Sequence, residues 1–325
     1  MYLENPVIIK VNVSFRNDLR IKDYTAKLVK SLLISGNPSL KEIFAKGESL
    51  SPKPIHITPL YTYNVDRNSE RKQEEKIEAI YSRFIPKKSV AKPPKINKLK
   101  PVKIEAGRKY FFYIGTNMKL LNDVLLGLYD INRFIFGKET VDIDQLSYEI
   151  RYVDVEKESE EILEILETAK ENYMKVVFNS PTLLKDPLVV MRRKKKKLLL
   201  PLPEAILSTP FLMVLIDRGK VRRNIFIRCM RYVKSIFDIP YTTLKTINLV
   251  WYVYDNEVLP AMIGYVKYFI DYQILQYAQS VMEMKYGLDF MELLSKVTVL
   301  AQVYGVGDGR ATGFGHVTIK MNTIQ

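Results

Sequence analysis

Two kinds of hydrophobic spacing alternate along this chain, and their order limits the fold more than any other feature. Pro6 to Phe15 sets Val7, Ile9, Val11 and Val13 at every second position, which predicts a strand with one buried face. Ile21 to Ile34 changes to helical spacing, with Leu28, Leu32 and Leu33 on one side, and Ser35-Gly36-Asn37-Pro38 ends it. Pro52 to Thr62 and Lys109 to Ile114 read as strands, Lys119 to Phe136 as an apolar-faced helix, and Ile143 to Val155 as a strand. The order β, α, β, β, α, β is that of the split βαβ, or ferredoxin-like, unit. It recurs downstream. Lys175 to Asn179 is a strand, Glu204 to Phe237 mainly helical, Thr246 to Tyr254 and Ala261 to Tyr268 strands, Gln273 to Tyr304 helical and Phe314 to Met321 a strand. The expected fold class is α+β, with two tandem ferredoxin-like (RRM-like, βαββαβ) domains, a scaffold that many RNA-binding domains share.

At 325 residues the chain exceeds what a single core usually fills. The repeated unit divides it into an N-terminal domain at 1–157, a connector helix at 158–172 and a C-terminal domain at 173–325. The connector belongs to an acidic stretch, Glu156 to Tyr173, whose inner face is Ile162, Ile165 and Leu166. A polar insertion at 66–103 interrupts the first domain. Within it, Pro86 to Lys103 holds Lys87, Lys88, Lys92, Lys95, Lys98, Lys100 and Lys103 with four prolines and no acid, which predicts an extended, flexible basic arm.

The charge balance names the class of partner. Fifty Lys and Arg against 36 Asp and Glu give a formal charge of +14, so the surface field attracts polyanions, nucleic acid ahead of anionic membrane. The unbroken run Arg192 to Lys197 is either a solvated loop or, through Arg192, Arg193, Lys194 and Lys195, a contact to an RNA backbone. Cys229 is the only cysteine, so no disulfide framework forms and the two histidines have no thiolate partners for zinc. Neither a metal site nor a cofactor is expected, and the cytoplasm is the expected compartment. Met1 to Asn12 carries Glu4 and Lys10 and lacks the apolar run of a secretory leader. Leu198 to Ile216 is apolar, but Pro201, Pro203, Glu204 and Pro210 make it buried core and not a membrane span.

One segment is richer in information. Gly305-Val306-Gly307-Asp308-Gly309-Arg310-Ala311-Thr312-Gly313-Phe314-Gly315 follows a predicted helix and precedes a predicted strand. Five glycines in eleven residues allow close backbone approach and can turn N–H groups toward phosphate; the plainer reading is a glycine-rich turn. Neither a dinucleotide fingerprint nor a P-loop fits, and the strand-then-helix order those motifs need is reversed. Gly307 to Gly315 resembles the C-terminal glycine-rich signature of the repeat-associated RNA-binding superfamily of CRISPR proteins. Its G-x-G followed by G-F-G resembles the repeat-processing endoribonuclease branch. Val176-Val177-Phe178-Asn179-Ser180-Pro181-Thr182-Leu183-Leu184, and Lys27 to Leu60 with Ser35-Gly36-Asn37-Pro38 and Lys53-Pro54-Ile55, add to that resemblance.

The resemblance implies metal-independent cleavage of CRISPR repeat RNA in precursor transcripts to give guide RNAs. The ribose 2′-hydroxyl attacks the adjacent phosphorus, leaving a 2′,3′-cyclic phosphate and a 5′-hydroxyl. Many members use a histidine, a tyrosine and a lysine. Here the segment after Asn37-Pro38, where the histidine is expected, holds Phe44, Ala45 and Lys46. The chain is similar in this to archaeal members that lack the histidine and set lysines around the site. Lys27 and Lys30, three apart on the first helix, and Lys53 at the opening of the next strand are the candidate catalytic residues, with Tyr24, Lys46 and His56 in reserve. His56 alternates with Ile55 and Ile57 and is expected to be partly exposed. RNA contacts are expected from Gly305, Gly307, Gly309, Arg310, Gly313, Gly315 and His316. The implied partners are repeat RNA and processed guide RNA, with a CRISPR effector complex and a second copy of the chain as further expectations. The alternative is a non-catalytic RNA-binding subunit of a CRISPR ribonucleoprotein. A DNA-binding protein has no helix-turn-helix or zinc-finger signal to support it.

Overall fold

The computed structural model describes residues 2–45, 51–64, 76–86, 93–168, 172–188 and 197–323. Lys46, Arg192, Arg193, Lys194 and Lys195 lie outside the described residues.

The first strand, β1 (Pro6–Phe15), buries Val7, Ile9, Val11 and Val13 on one face, as its alternation requires. Helix α1 (Ala26–Gly36) lays Leu28, Val29, Leu32 and Leu33 on that face. Strands β2 (Tyr61–Asn64) and β3 (Tyr110–Asn117), helix α2 (Met118–Leu128) and strand β4 (Glu139–Tyr152) complete the unit. The sheet runs β2-β3-β1-β4 with all neighbours antiparallel, the order that a split βαβ unit produces. Helix α3 (Val155–Thr168) follows. The second unit is β5 (Asn172–Thr182), α4 (Pro203–Asp217), α5 (Arg223–Ile236), β6 (Ile247–Tyr254), β7 (Glu257–Ile270), α6 (Tyr272–Tyr286), α7 (Phe290–Tyr304) and β8 (Val317–Thr323). Its sheet, β8-β5-β7-β6, repeats the order of the first. The molecule is two ferredoxin-like domains in tandem.

Several element boundaries differ from the sequence expectation, each for a local reason. The helix expected to reach Phe136 stops at Leu128, because Asp130 turns the chain at φ +50° and Arg133–Phe136 pairs with β4 as an edge strand. The stretch 204–237 is two helices parted near Gly219 at φ +64°, and 273–304 is two helices parted by the left-handed cap at Gly287. The apolar stretch that begins at Leu198 becomes α4, which is buried on nearly every side. No helix among the described residues is long and apolar enough to cross a membrane.

The insertion is woven into the fold. Lys76–Ala79 pairs with β2, Arg83–Phe84 pairs with β6 of the second sheet, and Val102–Ile104 pairs with Leu19–Ile21. Of the proline- and lysine-rich arm, Val102 and Lys103 join that last pairing, Ile96–Lys98 forms a 3-10 turn closed by its own backbone, and the Lys100 carbonyl accepts from Ser82 Oγ. The insertion borders a third core, formed where the two domains meet, in which Tyr24, Ala26 and Tyr81 pack on Val250, Tyr252 and Phe314.

Candidate functional site

The joint between α1 and the glycine loop organises the site. The Tyr24 ring stacks on Phe314 with centroids 4.6 Å apart, and its hydroxyl donates to the Gly313 carbonyl at 2.8 Å. Gly313 has φ +99°, and a Cβ there would lie 2.1 Å from the Cβ of Ala26, so only glycine lets the loop come this close to α1. The loop's backbone donors serve the protein. The N–H groups of Val306, Asp308, Thr312, Gly313, Phe314 and Gly315 reach main-chain carbonyls, and that of His316 reaches Ser180 Oγ. Arg310, a residue expected to contact RNA, turns inward at 2% exposure and donates to the carbonyls of Tyr304 and Lys53. It thereby fixes the backbone that carries Lys53.

Lys27, Lys30 and Lys53 lie beside this joint in unequal settings. Lys30 Nζ sits 5.2 Å from the centre of the Phe44 ring, and Lys53 Nζ donates to the Phe44 carbonyl at 2.7 Å, so both ammonium groups gather at one residue. Lys27 pairs with Asp23 at 2.5 Å, pairs with Asp255 from the β6–β7 turn, and lies over the Tyr254 ring. Burial alone would lower the Lys27 pKa, but the two carboxylates outweigh it and hold the group above the ordinary lysine value. Burial pulls Lys30 below that value; Asp255 opposes the shift and Lys27 adds to it.

The histidines are enclosed. His56, expected to be partly exposed, is 1% exposed, because the second domain covers the sheet face opposite the helices. A Cβ on Gly115 of that face would meet the Val303 carbonyl at 1.7 Å, and one on Gly305 would meet the His56 ring at 2.8 Å. His56 Nδ1 lies 2.9 Å from the Arg310 carbonyl, which makes Nδ1–H the donor and leaves Nε2 as a bare acceptor with no partner among the described residues. His316 is half-buried, its Nδ1 2.8 Å from the Tyr61 hydroxyl and its ring 5.3 Å from that of Tyr113. Burial, then His316 and Arg310, holds His56 well below the usual histidine value, and burial pushes His316 down to about 4. Both rings are neutral at pH 7. Among the described residues, no three His, Cys, Asp or Glu side chains come together.

Sequence reasoning missed the aromatic cluster next to His316. Tyr61, Tyr63, Phe111 and Tyr113 share one face of β2 and β3, with Lys10 Nζ over the Tyr63 and Phe111 rings. The signal was present as Tyr-x-Tyr and Phe-x-Tyr at strand spacing.

No family model and no curated protein matches the chain. Solved structures do. A Cas6 product complex is 13% identical, covering 98% of this chain and all of that one at a TM-score of 0.58. A Thermus thermophilus Cas6 is 12% identical over 98% of both chains at 0.52, and a Cas6-related gene product from Pyrococcus furiosus is 9% identical over 97% of this chain and 98% of that one at 0.50. The fold is that of Cas6. At these identities the likeness concerns architecture and not side chains. The likeness extends over nearly the whole length, so it takes in both ferredoxin-like units.

Proposed function

We propose that this chain is an endoribonuclease that cuts CRISPR repeat RNA in precursor transcripts to give guide RNAs, working without a metal ion and within the histidine-free branch of its fold relatives. The observation that carries the reading is the joint itself: α1, with Lys27 and Lys30, is held against the glycine loop, whose Arg310 holds the backbone of Lys53. The Cas6 fold, found elsewhere in a product complex, and the +14 charge support RNA as the ligand.

In this reading the ribose 2′-oxygen bonds to phosphorus and gives up its proton to water or to a neutral lysine, while the P–O5′ bond breaks. The leaving 5′-oxygen takes a proton from Lys30, the lysine whose pKa is lowered. Lys27, kept protonated by its carboxylates, and Lys53 hold the negative charge of the crowded phosphorane. The products are a 2′,3′-cyclic phosphate and a 5′-hydroxyl. Tyr24 is a positioning residue, since its hydroxyl is used on Gly313. Domain limits at 1–157, 158–172 and 173–325, self-association and docking on an effector complex belong to the same proposal, and limited proteolysis and mass in solution would read them.

A second reading, a subunit that binds RNA without cutting, is favoured by the neutral histidines and by the carboxylates on Lys27. Incubation with repeat RNA in EDTA decides between them. Fragments ending in cyclic phosphate and 5′-hydroxyl support the enzyme; tight binding without a cut supports the subunit. Cleavage that needs added divalent metal removes the mechanism above.

A further inference from the structure

The first sheet ends on an edge that no strand among the described residues covers. β4 pairs with β1 on one side, and on its other side Arg133–Phe136 covers only Glu139 to Asp142. The Ile143 amide still reaches the Asn132 carbonyl, and from Gln145 onward that side carries no strand. The ladder tells which groups are left bare. Val153 N–H donates to the Pro6 carbonyl, so these two residues form a hydrogen-bonded pair, and in an antiparallel ladder such pairs recur at every second residue. Gln145, Ser147, Glu149 and Arg151 therefore bond to β1. The N–H and C=O groups of Leu146, Tyr148, Ile150 and Tyr152 point away from it and have no partner among the described residues. Natural edges are blunted by lysine, proline or a bulge that twists the strand away. Gln145 to Tyr152 holds neither lysine nor proline, and the one irregularity in its pairing, at Asp144, lies before it. Leu146, Tyr148, Ile150 and Tyr152 stand opposite Val13, Val11, Ile9 and Val7, hence on the helix side of the sheet. Leu146 and Ile150 pack on the core, whereas Tyr148 lines a groove of about 370 Å³ with Asn122, Leu125 and Leu126 of α2 and with Tyr129 just after it. Leu126, Tyr129 and Tyr152 are 57%, 74% and 61% exposed, so bare backbone and uncovered apolar surface meet along one edge.

We propose that a second copy of the chain pairs here, β4 against β4, antiparallel about a twofold axis at Ile150, so that the first sheets of the two copies join into one. The charge pattern of the edge selects this occupant and this register. With the axis at Ile150, Glu149 stands opposite the partner's Arg151, Arg151 opposite the partner's Glu149, and Tyr148 opposite the partner's Tyr152. Opposite charges and aromatic pairs directly across from one another stabilise antiparallel strands. An axis at Glu149 would set the two Glu149 carboxylates face to face, and one at Tyr148 would set Glu149 against Ser147 and Arg151 against Gln145, with neither charge matched. Arg151 already donates from Nη1 to Glu158 at 2.8 Å, which leaves the rest of its guanidinium fork for a second carboxylate. Tyr148, Ile150 and Tyr152 of each copy exchange their bare N–H and C=O groups with the other, and the added strand lays its apolar side chains beside the groove on α2. The contact is self-complementary, so it uses up the edge and stops at a dimer. The inference rests on the preceding section only for the expectation that copies associate, which it turns into one edge and one register.

The test is the mass of the full chain in solution without RNA, by sedimentation equilibrium over a range of concentrations. Wild type is expected to dimerise reversibly. Glu149→Arg and Arg151→Glu each turn the attractive pairs into repulsive ones and are expected to weaken the dimer by about tenfold or more. The double variant Glu149→Arg, Arg151→Glu exchanges the charges and is expected to return to near the wild-type affinity. Tyr148→Pro removes an N–H that β1 does not use and that the partner's strand needs, so it is expected to leave only monomer. Urea midpoints near wild type, read for the charge variants at a concentration where all are monomers, separate lost pairing from lost folding. A wild type that stays monomeric at the highest concentration overturns the proposal, whatever other polypeptide the edge then captures. So does a dimer that survives both single reversals or Tyr148→Pro, and so does one that the single reversals weaken and the exchange does not restore. Cleavage of repeat RNA by the same samples keeps the two readings apart: a monomer that cuts sinks this inference alone, and a dimer that neither cuts nor binds RNA sinks the functional reading alone.

Discussion

Replacing Gly313 by alanine tests the joint on which the site depends. Two separable penalties follow from the structure. The residue sits at φ +99°, where an L side chain is strained by about 1–3 kcal/mol. Its new methyl would also lie 2.1 Å from Ala26 Cβ and 2.9 Å from Tyr24 Cε1, an overpacking of about 1–3 kcal/mol. The sum, about 2–6 kcal/mol, can be divided by a second change. Ala26→Gly removes the methyl on the other side and by itself costs up to about 1 kcal/mol, since Ala26 is the first residue of α1. In the double variant the clash is relieved and the backbone strain stays, so Ala26→Gly should recover about 1–3 kcal/mol in the Gly313→Ala background while destabilising wild type. Urea unfolding at unchanged m-value reads the energies, and single-turnover cleavage of repeat RNA reads the geometry. Because relief of the clash moves α1 and with it Lys27 and Lys30, cleavage should fall more than RNA affinity and return in part with the double variant. Wild-type stability in Gly313→Ala, or losses that simply add in the double variant, would refute the close packing of loop and helix.

Three further outcomes follow. Lys30→Arg keeps the charge but cannot release a proton near neutrality, so cleavage should drop by roughly 100- to 10,000-fold, whereas Lys27→Arg should stay near wild type; single-turnover rates that reverse this order would exchange the two roles. His316 has a folded pKa of about 4 against an ordinary 6.5, so the unfolded chain takes up a proton that the folded one refuses. Stability should therefore be full above pH 6.5 and fall as pH drops toward 4, and His316→Gln should flatten that fall, with His56→Gln flattening it further; a urea midpoint as acid-sensitive in both variants as in wild type would contradict this. Tyr81→Ala opens the core between the domains, where Tyr81 packs edge-on to Tyr24, and should destabilise by about 3–5 kcal/mol and slow cleavage of repeat RNA. Undiminished cleavage at full folding would show that the joint tolerates slack.

The strand order of both domains was legible because strands with one buried face alternate and helices do not. Boundaries were lost where a turn interrupts a run whose apolar character continues: Ile131, Phe134 and Phe136 read as more of α2, although Asp130 had already reversed the chain. Lys27 and Lys30 could be placed on one helix face from spacing alone. His56 and Arg310 could not be placed correctly, for one shared reason. Alternation says which face of a sheet a residue occupies, but not what covers that face, and here the cover comes from residues some 250 positions away. That Lys175 stands beside Lys267 and Lys320 was invisible for a related reason, since only register brings the three together.

The enclosed joint bears on how such weak acids and bases could serve a reaction. A lysine donates its proton reluctantly near neutrality, and neither histidine is charged there, so the cleavage proposed above depends on holding the RNA and the ammonium groups in a fixed relation. The fold supplies that relation from several directions. Phe314 and Tyr252 of the second domain pack on Tyr24, and Asp255 on the β6–β7 turn reaches Lys27. Arg310 grips the Lys53 carbonyl, and the insertion lays Arg83–Phe84 against β6 while its neighbour Tyr81 meets Tyr24. All of these contacts but that of Tyr81 with Tyr24 join a residue of one domain to the other. The glycine loop then acts less as a cradle of free N–H groups than as a spacer thin enough for the two domains to close on one another.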